Sequence, residues 1–119
     1  MFSELNRYEC ICAFIDGYDN GARGGCLPGF RQWLLAEGDH WTNLPWWSII
    51  RKYCFPDKPL TETLTDAESD QALEALAGYL ERYLRCFQSG GLSLVLHQYN
   101  TWLIRQTDEA TEKFRRLLE

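Results

Sequence analysis

The stretch TDAESDQALEALAGYLERYLRCF, residues 65–87, decides the fold. Thr65 and Glu68 have the spacing of a capping box, in which the first residues of a helix hydrogen-bond one another reciprocally. Behind the box, apolar residues recur at the three- and four-residue intervals of one helix face. They are Leu73, Leu76, Ala77, Leu80, Tyr83, Leu84 and Phe87. The stretch therefore predicts a long amphipathic helix that ends at Ser89-Gly90-Gly91.

Helical spacing extends in both directions from this stretch, and no segment alternates with the two-residue period of a strand. It predicts helices from about Ser3 to Asp16-Gly17, from Pro28 to Gly38, and from Thr42-Asn43 to Pro56. A last helix begins at Leu92 and either runs to the C-terminus or bends near Thr107. With short connections and no dividing linker, we expect an all-α fold, a compact bundle of about five helices in which residues 1–119 form a single domain.

The composition fits a protein with one hydrophobic core. Of the 119 residues, 45% are hydrophobic and 24% are charged, which suits a folded domain better than a disordered chain. No apolar run approaches the ~20 residues that span a bilayer, and the acidic start MFSELNRYEC lacks the basic region of a secretory signal. We therefore expect a cytoplasmic protein with no membrane association.

Residues able to hold a metal or a cofactor are scattered along the sequence. The five cysteines are Cys10, Cys12, Cys26, Cys54 and Cys86, and the two histidines are His40 and His97. Their spacing matches neither a disulfide framework nor a zinc site, so we expect free thiols, no metal and no cofactor. The loop Gly21–Gly25 lacks the Lys-Ser/Thr that completes a phosphate-binding loop and is interpreted as a turn.

The sequence also shows no convincing set of catalytic residues. A nucleophile, base and acid can be named in the order Cys86, His97 and Asp108, but any chain with this many cysteines supplies such a set. Asp16 and Asp19 bracket a glycine, where they serve as turn residues without any need for a bound cation. We predict no catalytic residues and a protein that is not an enzyme.

The negative charge of the chain is concentrated in one segment. The formal net charge is −5, and the eighteen residues from Asp57 to Glu74 hold six acids and one base, so this segment accounts for the whole excess. Asp66, Asp70 and Glu74 repeat every four residues, where like charges repel and do not help the helix. We expect this end of the helix to project past the core, with its acids extending the core face, and to meet a basic partner protein. The negative net charge also argues against a nucleic acid as the partner.

Tryptophans offer a second set of contact residues. The chain has five: Trp33, Trp41, Trp46, Trp47 and Trp102. Trp46 and Trp47 are adjacent and lie about 100° apart on a helix, so both cannot point equally into the core. We expect one of Trp41, Trp46 and Trp47 to lie on a contact surface. The predicted partner-binding residues are Asp57, Glu62, Asp66, Asp70, Glu74, Trp46 and Trp47.

Several short motifs, taken together, resemble a known class of protein. They are FIDGY (14–18), LPGFRQWL (27–34), NLPWW (43–47), FP (55–56), GL (91–92) and YNTWLIRQ (99–106). Their order is similar to that in immunity proteins encoded beside bacterial polymorphic toxins, including the partners of contact-dependent growth-inhibition toxins. The resemblance implies a cytosolic inhibitor that binds the C-terminal domain of one toxin and occludes its active site. Many such toxins are nucleases with basic channels, which an acidic surface would suit.

Two other functions remain open at this point. A small helical enzyme or ligand-binding domain would use the tryptophans as a pocket and would need convergent polar groups around an apolar cavity. A structural or regulatory subunit would have a partner other than a toxin. The motifs of the resemblance are aromatic and glycine landmarks rather than active-site signatures, so they indicate a fold more than an activity.

Overall fold

The protein is built from α-helices. A computed structural model describes residues 7–21 and 27–119, and side chains within 7–17 and 27–119. These ranges contain no β-strand and four helices: α1 (Arg7–Gly21), α2 (Phe30–Gly38), α3 (Trp46–Cys54) and α4 (Asp66–Leu118). The prediction of an all-α fold is confirmed, whereas the expected number of about five helices is wrong, since the described ranges hold four.

The helix count differs because the predicted break at Ser89-Gly91 is a corner and not a loop. Gly91 has non-helical angles, φ 66° and ψ −162°, inside α4, a conformation that glycine adopts readily because it has no Cβ. Cys86 Sγ donates a hydrogen bond to Gln98 Oε1 at 3.6 Å, although twelve residues of straight helix would span about 18 Å. The chain therefore folds back at Gly91, and residues 66–90 and 92–118 are the first and second halves of a hairpin.

Helix α2 packs between the two halves of this hairpin. Tyr83 on the first half donates to the carbonyl of Pro28, just before α2, at 2.6 Å. Trp102 Nε1 on the second half donates to Asp39 Oδ1, just after α2, at 2.7 Å. Helix α2 therefore runs antiparallel to the first half and parallel to the second. The arrangement buries the Phe30 ring among aromatic neighbours on α2, α3 and α4.

The start of α2 explains why the chain needs glycine at position 29. Gly29 is the residue before the helix and has φ 76°. A Cβ added there would lie 3.0 Å from Val95 Cγ1 and 3.1 Å from Leu92 Cδ1. The missing side chain thus lets the backbone approach the second half of α4 closely. Helix α2 begins at Phe30, slightly later than the Pro28 start that the sequence indicated.

Two other helix boundaries differ from the predicted ones. Helix α1 continues to Gly21 and passes through Asp16-Gly17, where the sequence suggested an end. Gly17 is tolerated because a single glycine in a helix costs only about 1 kcal/mol. Helix α3 begins at Trp46, after Pro45, rather than at Thr42-Asn43. The predicted cap Ser3 and most of the Gly21–Gly25 loop lie outside the described residues.

Other boundary predictions are confirmed. Thr65 and Glu68 form the complete capping box at the start of α4. Helix α3 ends at Cys54, two residues before Pro56, and α2 ends at Gly38. The second half of α4 continues through Thr107 without a break, which settles the choice between a straight and a bent last helix. None of the described helices has a stretch apolar enough to cross a bilayer.

The buried face of α4 is rotated from the one that the leucines predicted. Ser69, Ala72, Leu76 and Tyr83 are buried, whereas Leu84 and the predicted core residue Ala77 are exposed. The backbone N–H of Tyr8 on α1 donates to Ser69 Oγ at 2.8 Å. Small side chains at 69 and 72 let α1 approach closely, and this contact sets the face that points inward.

The rotation predicts an order of stability losses along the first half of α4. Leu76→Ala is expected to lower the free energy of unfolding by about 2–5 kcal/mol, because it opens a cavity in the core. Leu80→Ala removes a partly buried side chain and should cost less, and Leu84→Ala, at an exposed position, least of all. Urea denaturation measures the three losses. Equal losses at Leu76 and Leu84 would contradict the rotated face.

Candidate partner-binding surface

The five predicted acidic residues are all exposed. Asp57 and Glu62 lie between α3 and α4, and Asp66, Asp70 and Glu74 lie on the first turns of α4. We call these five residues the acidic face. Only Asp70 has an ion-pair partner among the described residues, Arg7 at 3.8 Å. Both side chains are largely exposed, and such pairs contribute little.

A sixth acid of the segment, Glu68, is neutralised internally. Its Oε1 atom lies 2.5 Å from Lys58 Nζ and accepts the backbone N–H of Thr65 at 2.8 Å. The hydrogen bond from Lys58, followed by that from the Thr65 backbone, lowers the pKa of Glu68 to about 2. Lys58 is the only base of the segment from Asp57 to Glu74, and it is paired with Glu68. The net charge of the segment therefore lies on the five exposed carboxylates.

Arg51 of α3 holds the segment that carries Asp57 and Glu62. Its guanidinium is buried and donates to the carbonyls of Pro59, at 2.9 Å, and of Glu62. It also lies 3.5 Å from Glu9 Oε1 on α1. Its Nε–H has no acceptor among the described residues. A buried cation that binds two carbonyls fixes the backbone of this connection, so the acidic face has a defined shape.

The expected projection of the start of α4 is wrong. Leu64 and Ser69 are buried there, and α1 contacts Ser69 through the bond from the Tyr8 backbone. Asp66 and Asp70 do not extend the core face, because the buried stripe of α4 is centred on Ser69, Ala72 and Leu76. The acids lie on the flank of the helix instead. They remain exposed, but on a surface backed by a packed helix.

The two predicted tryptophans have different environments. Trp46 is buried, with its ring 5.7 Å from that of Phe30, so it is a core residue and its prediction as a contact anchor is wrong. Trp47 packs edge-on against Trp46 at 5.4 Å and is partly exposed. Trp41 is 55% exposed between α2 and α3, and it borders a groove with residues of the second half of α4 and none of the five acids. Trp47 is therefore the tryptophan that best fits the predicted role of a contact residue.

Trp47 borders a cleft between α1 and α3 that the sequence did not reveal. Its volume is about 450 Å³, and the connection after α3 closes it through Leu60. The walls are formed mainly by Tyr8, Cys12, Ala13, Trp47 and Leu60, with Glu9, Asp16, Ser48 and Arg51 as polar groups. The signal in the sequence was the spacing of residues 9, 12, 13 and 16, which places them on one face of α1.

Burial controls the ionisable groups of this cleft. It raises the pKa of the Cys12 thiol to about 12 and raises that of the Tyr8 hydroxyl as well. Tyr8 donates its hydroxyl hydrogen to the carbonyl of Trp47 at 2.6 Å, which joins α1 to α3. Neither group supplies a nucleophile at neutral pH, because each stays protonated.

The residues considered for catalysis do not form a site. His97 and Asp108 lie on one unbroken stretch of α4, eleven residues apart, which separates them by about 16 Å along the helix axis. Asp108 therefore cannot orient His97. Cys86 contacts Gln98. Asp16, predicted as a turn residue, is in fact within α1, and the side chain of Asp19 lies outside the described residues.

Metal ligands do not cluster in the part of the chain that the structure describes. Residues 7–21 and 27–119 hold no group of three or more His, Cys, Asp or Glu side chains placed to bind an ion. Cys10, Cys12, Cys54 and Cys86 are free thiols, and Cys26 lies outside the described residues.

Comparison with protein-family models, with curated proteins and with solved structures finds no match to this chain. The acidic face is charged and exposed, and the α1–α3 cleft is concave and mostly apolar. Both are surface features on which a function can rest.

Proposed function

We propose that the protein is a bacterial immunity protein that binds the C-terminal domain of its cognate toxin and occludes the active site of that domain. The supporting observation is the acidic face, where five exposed carboxylates carry the net charge of the whole chain. The motif resemblance to immunity proteins of polymorphic toxins points the same way. On this proposal the protein acts in the cytoplasm, binds protein rather than nucleic acid or membrane, and has no catalytic role or cofactor.

The acidic face has the properties of a surface that attracts a basic partner by long-range electrostatics. Four of its acids, Asp57, Glu62, Asp66 and Glu74, lack an ion-pair partner among the described residues, so no direct ion pair neutralises them. Spaced carboxylates of this kind attract a basic groove over several ångströms and speed encounter. A nuclease toxin has such a groove because it must bind a phosphate backbone. A nuclease is therefore the toxin class that we propose.

The acidic face is also ordered before any partner binds, which supports the proposal further. Arg51 fixes the connection that carries Asp57 and Glu62, and the Lys58–Glu68 pair fixes the start of α4. A surface that is ordered before binding loses less conformational entropy on association. Trp47 lies next to Arg51 along the α1–α3 cleft and provides an aromatic anchor beside the charged region.

Co-expression tests the proposal. The toxin domain is taken from the gene next to the one that encodes this protein, and growth is measured with and without the protein. We expect the wild-type protein to restore growth and to form a one-to-one complex on gel filtration. The variant Asp66→Asn, Asp70→Asn, Glu74→Gln should protect cells less well.

The matched control removes three acids elsewhere on α4: Glu81→Gln, Asp108→Asn and Glu109→Gln. It changes the net charge equally and should protect like the wild-type protein. Failure of the wild-type protein either to bind the toxin domain or to restore growth would refute the proposed function.

The α1–α3 cleft supports a second candidate, a small-ligand binding domain. Its volume of about 450 Å³ and its apolar walls with a few polar groups are typical of ligand sites. This function predicts a small molecule that copurifies with the protein and is detected by native mass spectrometry. Ala13→Leu, which places a larger side chain in the cleft, should weaken or abolish that adduct.

A further inference from the structure

Helix α1 supplies a wall of the α1–α3 cleft with an acid at each end and small side chains in between. Glu9 and Asp16 are seven residues apart in the chain and lie within about 20° of each other around the helix axis. Cys12 and Ala13 lie between them on the same side of α1, and all four residues line the cleft. The two acidic residues are therefore about 10 Å apart along the axis, with an apolar surface between them.

The other walls of the cleft are aromatic and aliphatic. Trp47 lines it from α3, and Leu60 closes it from the connection after α3. The Tyr8 hydroxyl donates to the carbonyl of Trp47 at 2.6 Å and so fixes the backbone at this point. A ligand between α1, Trp47 and Leu60 would lose contact with water on several sides, which favours an apolar body. The volume of about 450 Å³ lies in the range of sites that hold a whole small molecule.

Most side-chain hydrogen-bond donors of the cleft are already engaged. Arg51 donates to Glu9 and to two backbone carbonyls, and its remaining Nε–H is buried from solvent. Tyr8 donates to Trp47. Of the strong side-chain donors among the described lining residues, this leaves the Ser48 hydroxyl, which can equally accept. The cleft therefore offers a ligand few donors.

The acceptors of the cleft, in contrast, can take further bonds. A carboxylate has about four lone-pair sites, so Glu9 and Asp16 can each accept from a ligand in addition to their bonds within the protein. Glu9 already lies 3.5 Å from the guanidinium of Arg51, and Asp16 lies two turns further along α1. Two carboxylates against one guanidinium leave the described lining with an excess of negative charge. Asp16 is therefore the acid best placed to bind a cation.

The charge of the cleft and of its surroundings indicates the kind of ligand. Asp57 and Glu62 are exposed and lie on either side of Leu60 in the chain, so the negative field extends past the cleft. This field repels a carboxylic acid, which is an anion at neutral pH. A neutral apolar molecule would cover the Asp16 carboxylate without donating to it, at a cost in desolvation. An organic amine is a cation that donates hydrogen bonds, and it complements the acids as well as the apolar walls.

We infer that the α1–α3 cleft binds a small organic amine with an apolar body. The ammonium group donates to Asp16, and the body packs against Ala13, Trp47 and Leu60. A lysine side chain of a partner protein carries the same charge, but it would leave much of the apolar wall uncovered. This inference names the ligand of the second candidate function, on which it rests, and it does not depend on toxin binding.

Three probes of similar shape and different charge test the inference: phenethylamine is the cation, phenethyl alcohol the neutral molecule and hydrocinnamate the anion. Binding is measured by the shift of the Trp47 indole N–H resonance in NMR spectra, which Trp47→Phe identifies by its loss. We expect phenethylamine to bind with a dissociation constant below about 1 mM, an ordinary value for a ligand of this size. It should bind at least about tenfold more tightly than the alcohol, because only the amine gives Asp16 a charged donor. Hydrocinnamate should leave the resonance unshifted.

Variants locate the charged contact. Asp16→Asn should weaken phenethylamine binding about tenfold and leave the alcohol unaffected, whereas Ala13→Leu should weaken both by filling space. The matched control Asp108→Asn, on the second half of α4, should bind all three probes like the wild type. Acetyl-lysine amide with a free side-chain ammonium mimics a partner's lysine and should bind at least about tenfold more weakly than phenethylamine.

Several results would overturn the inference. Equal affinity for the three probes, or unchanged phenethylamine binding in Asp16→Asn, would remove the preference for an amine and leave the cleft as a ligand site of another kind. A lysine mimic that binds as tightly as phenethylamine would make a partner's side chain the occupant. No shift of the Trp47 resonance with any probe at up to about 10 mM would refute the inference and the second candidate function together, without bearing on the toxin-binding proposal.

Discussion

Replacing Arg51 with alanine is expected to lower the free energy of unfolding by about 3–5 kcal/mol, the cost of removing one partner from a buried charged network. The guanidinium is almost fully buried, and it binds the carbonyls of Pro59 and Glu62 as well as the carboxylate of Glu9. Its loss would remove the donors that hold the two carbonyls in place. The connection between α3 and α4 would lose its fixed shape, and the acidic face would lose part of its preorganisation.

Urea denaturation followed by circular dichroism measures this loss. Arg51→Lys is the informative companion, because lysine keeps the charge but cannot bind two carbonyls with one planar group. The free energy of unfolding of Arg51→Lys should lie between those of Arg51→Ala and the wild type. Lys52→Ala, at the exposed neighbouring position, is the matched control and should change stability by less than about 0.5 kcal/mol. A loss of under about 1 kcal/mol for Arg51→Ala would show that the connection is held by other contacts.

Replacing Phe30 with alanine should cost a similar amount, about 3–5 kcal/mol. Its ring is buried and lies 5.1 Å from Tyr83 and 5.7 Å from Trp46, with Trp33 stacked at 6.2 Å. These neighbours belong to three helices, so the cavity would open where α2, α3 and the α4 hairpin meet. We expect the near-ultraviolet circular dichroism of the aromatic cluster to weaken as well.

The control for this substitution is Phe14→Ala. Phe14 is 75% exposed on α1, and its removal should alter stability by less than about 0.5 kcal/mol. If Phe30→Ala were as mild as Phe14→Ala, the aromatic cluster would not be the centre of the core.

The helical class and several helix boundaries could be predicted from the sequence, because they depend on short-range chemistry. The capping box at Thr65 and Glu68, the end of α3 before Pro56 and the break near Gly91 all follow from residues close together in the chain. The rotation of the α4 face could not be predicted in this way. It depends on Ser69 receiving the backbone N–H of Tyr8, a residue sixty-one positions away.

The candidate site was predictable in charge but not in geometry. Counting acids located the segment from Asp57 to Glu74, and all five proposed contact acids are exposed. The placement of Asp66 and Asp70 on the flank of α4 depends on the contact of α1 with Ser69, which is a long-range contact. Trp46 was misplaced because adjacent tryptophans give no signal of which one points inward. The α1–α3 cleft was missed because its lining comes from two helices and a connection.

The most direct test of the proposed function is the association rate of the protein with its toxin domain, measured by stopped flow at low and high ionic strength. The wild-type rate should fall steeply as salt screens the acidic face. The variant Asp66→Asn, Asp70→Asn, Glu74→Gln should associate about tenfold more slowly at low salt and should lose most of its salt dependence. The Glu81→Gln, Asp108→Asn, Glu109→Gln control should behave like the wild type. Unchanged kinetics for the first variant at low ionic strength would contradict the account, because the acidic face would then be no more than solvated charge.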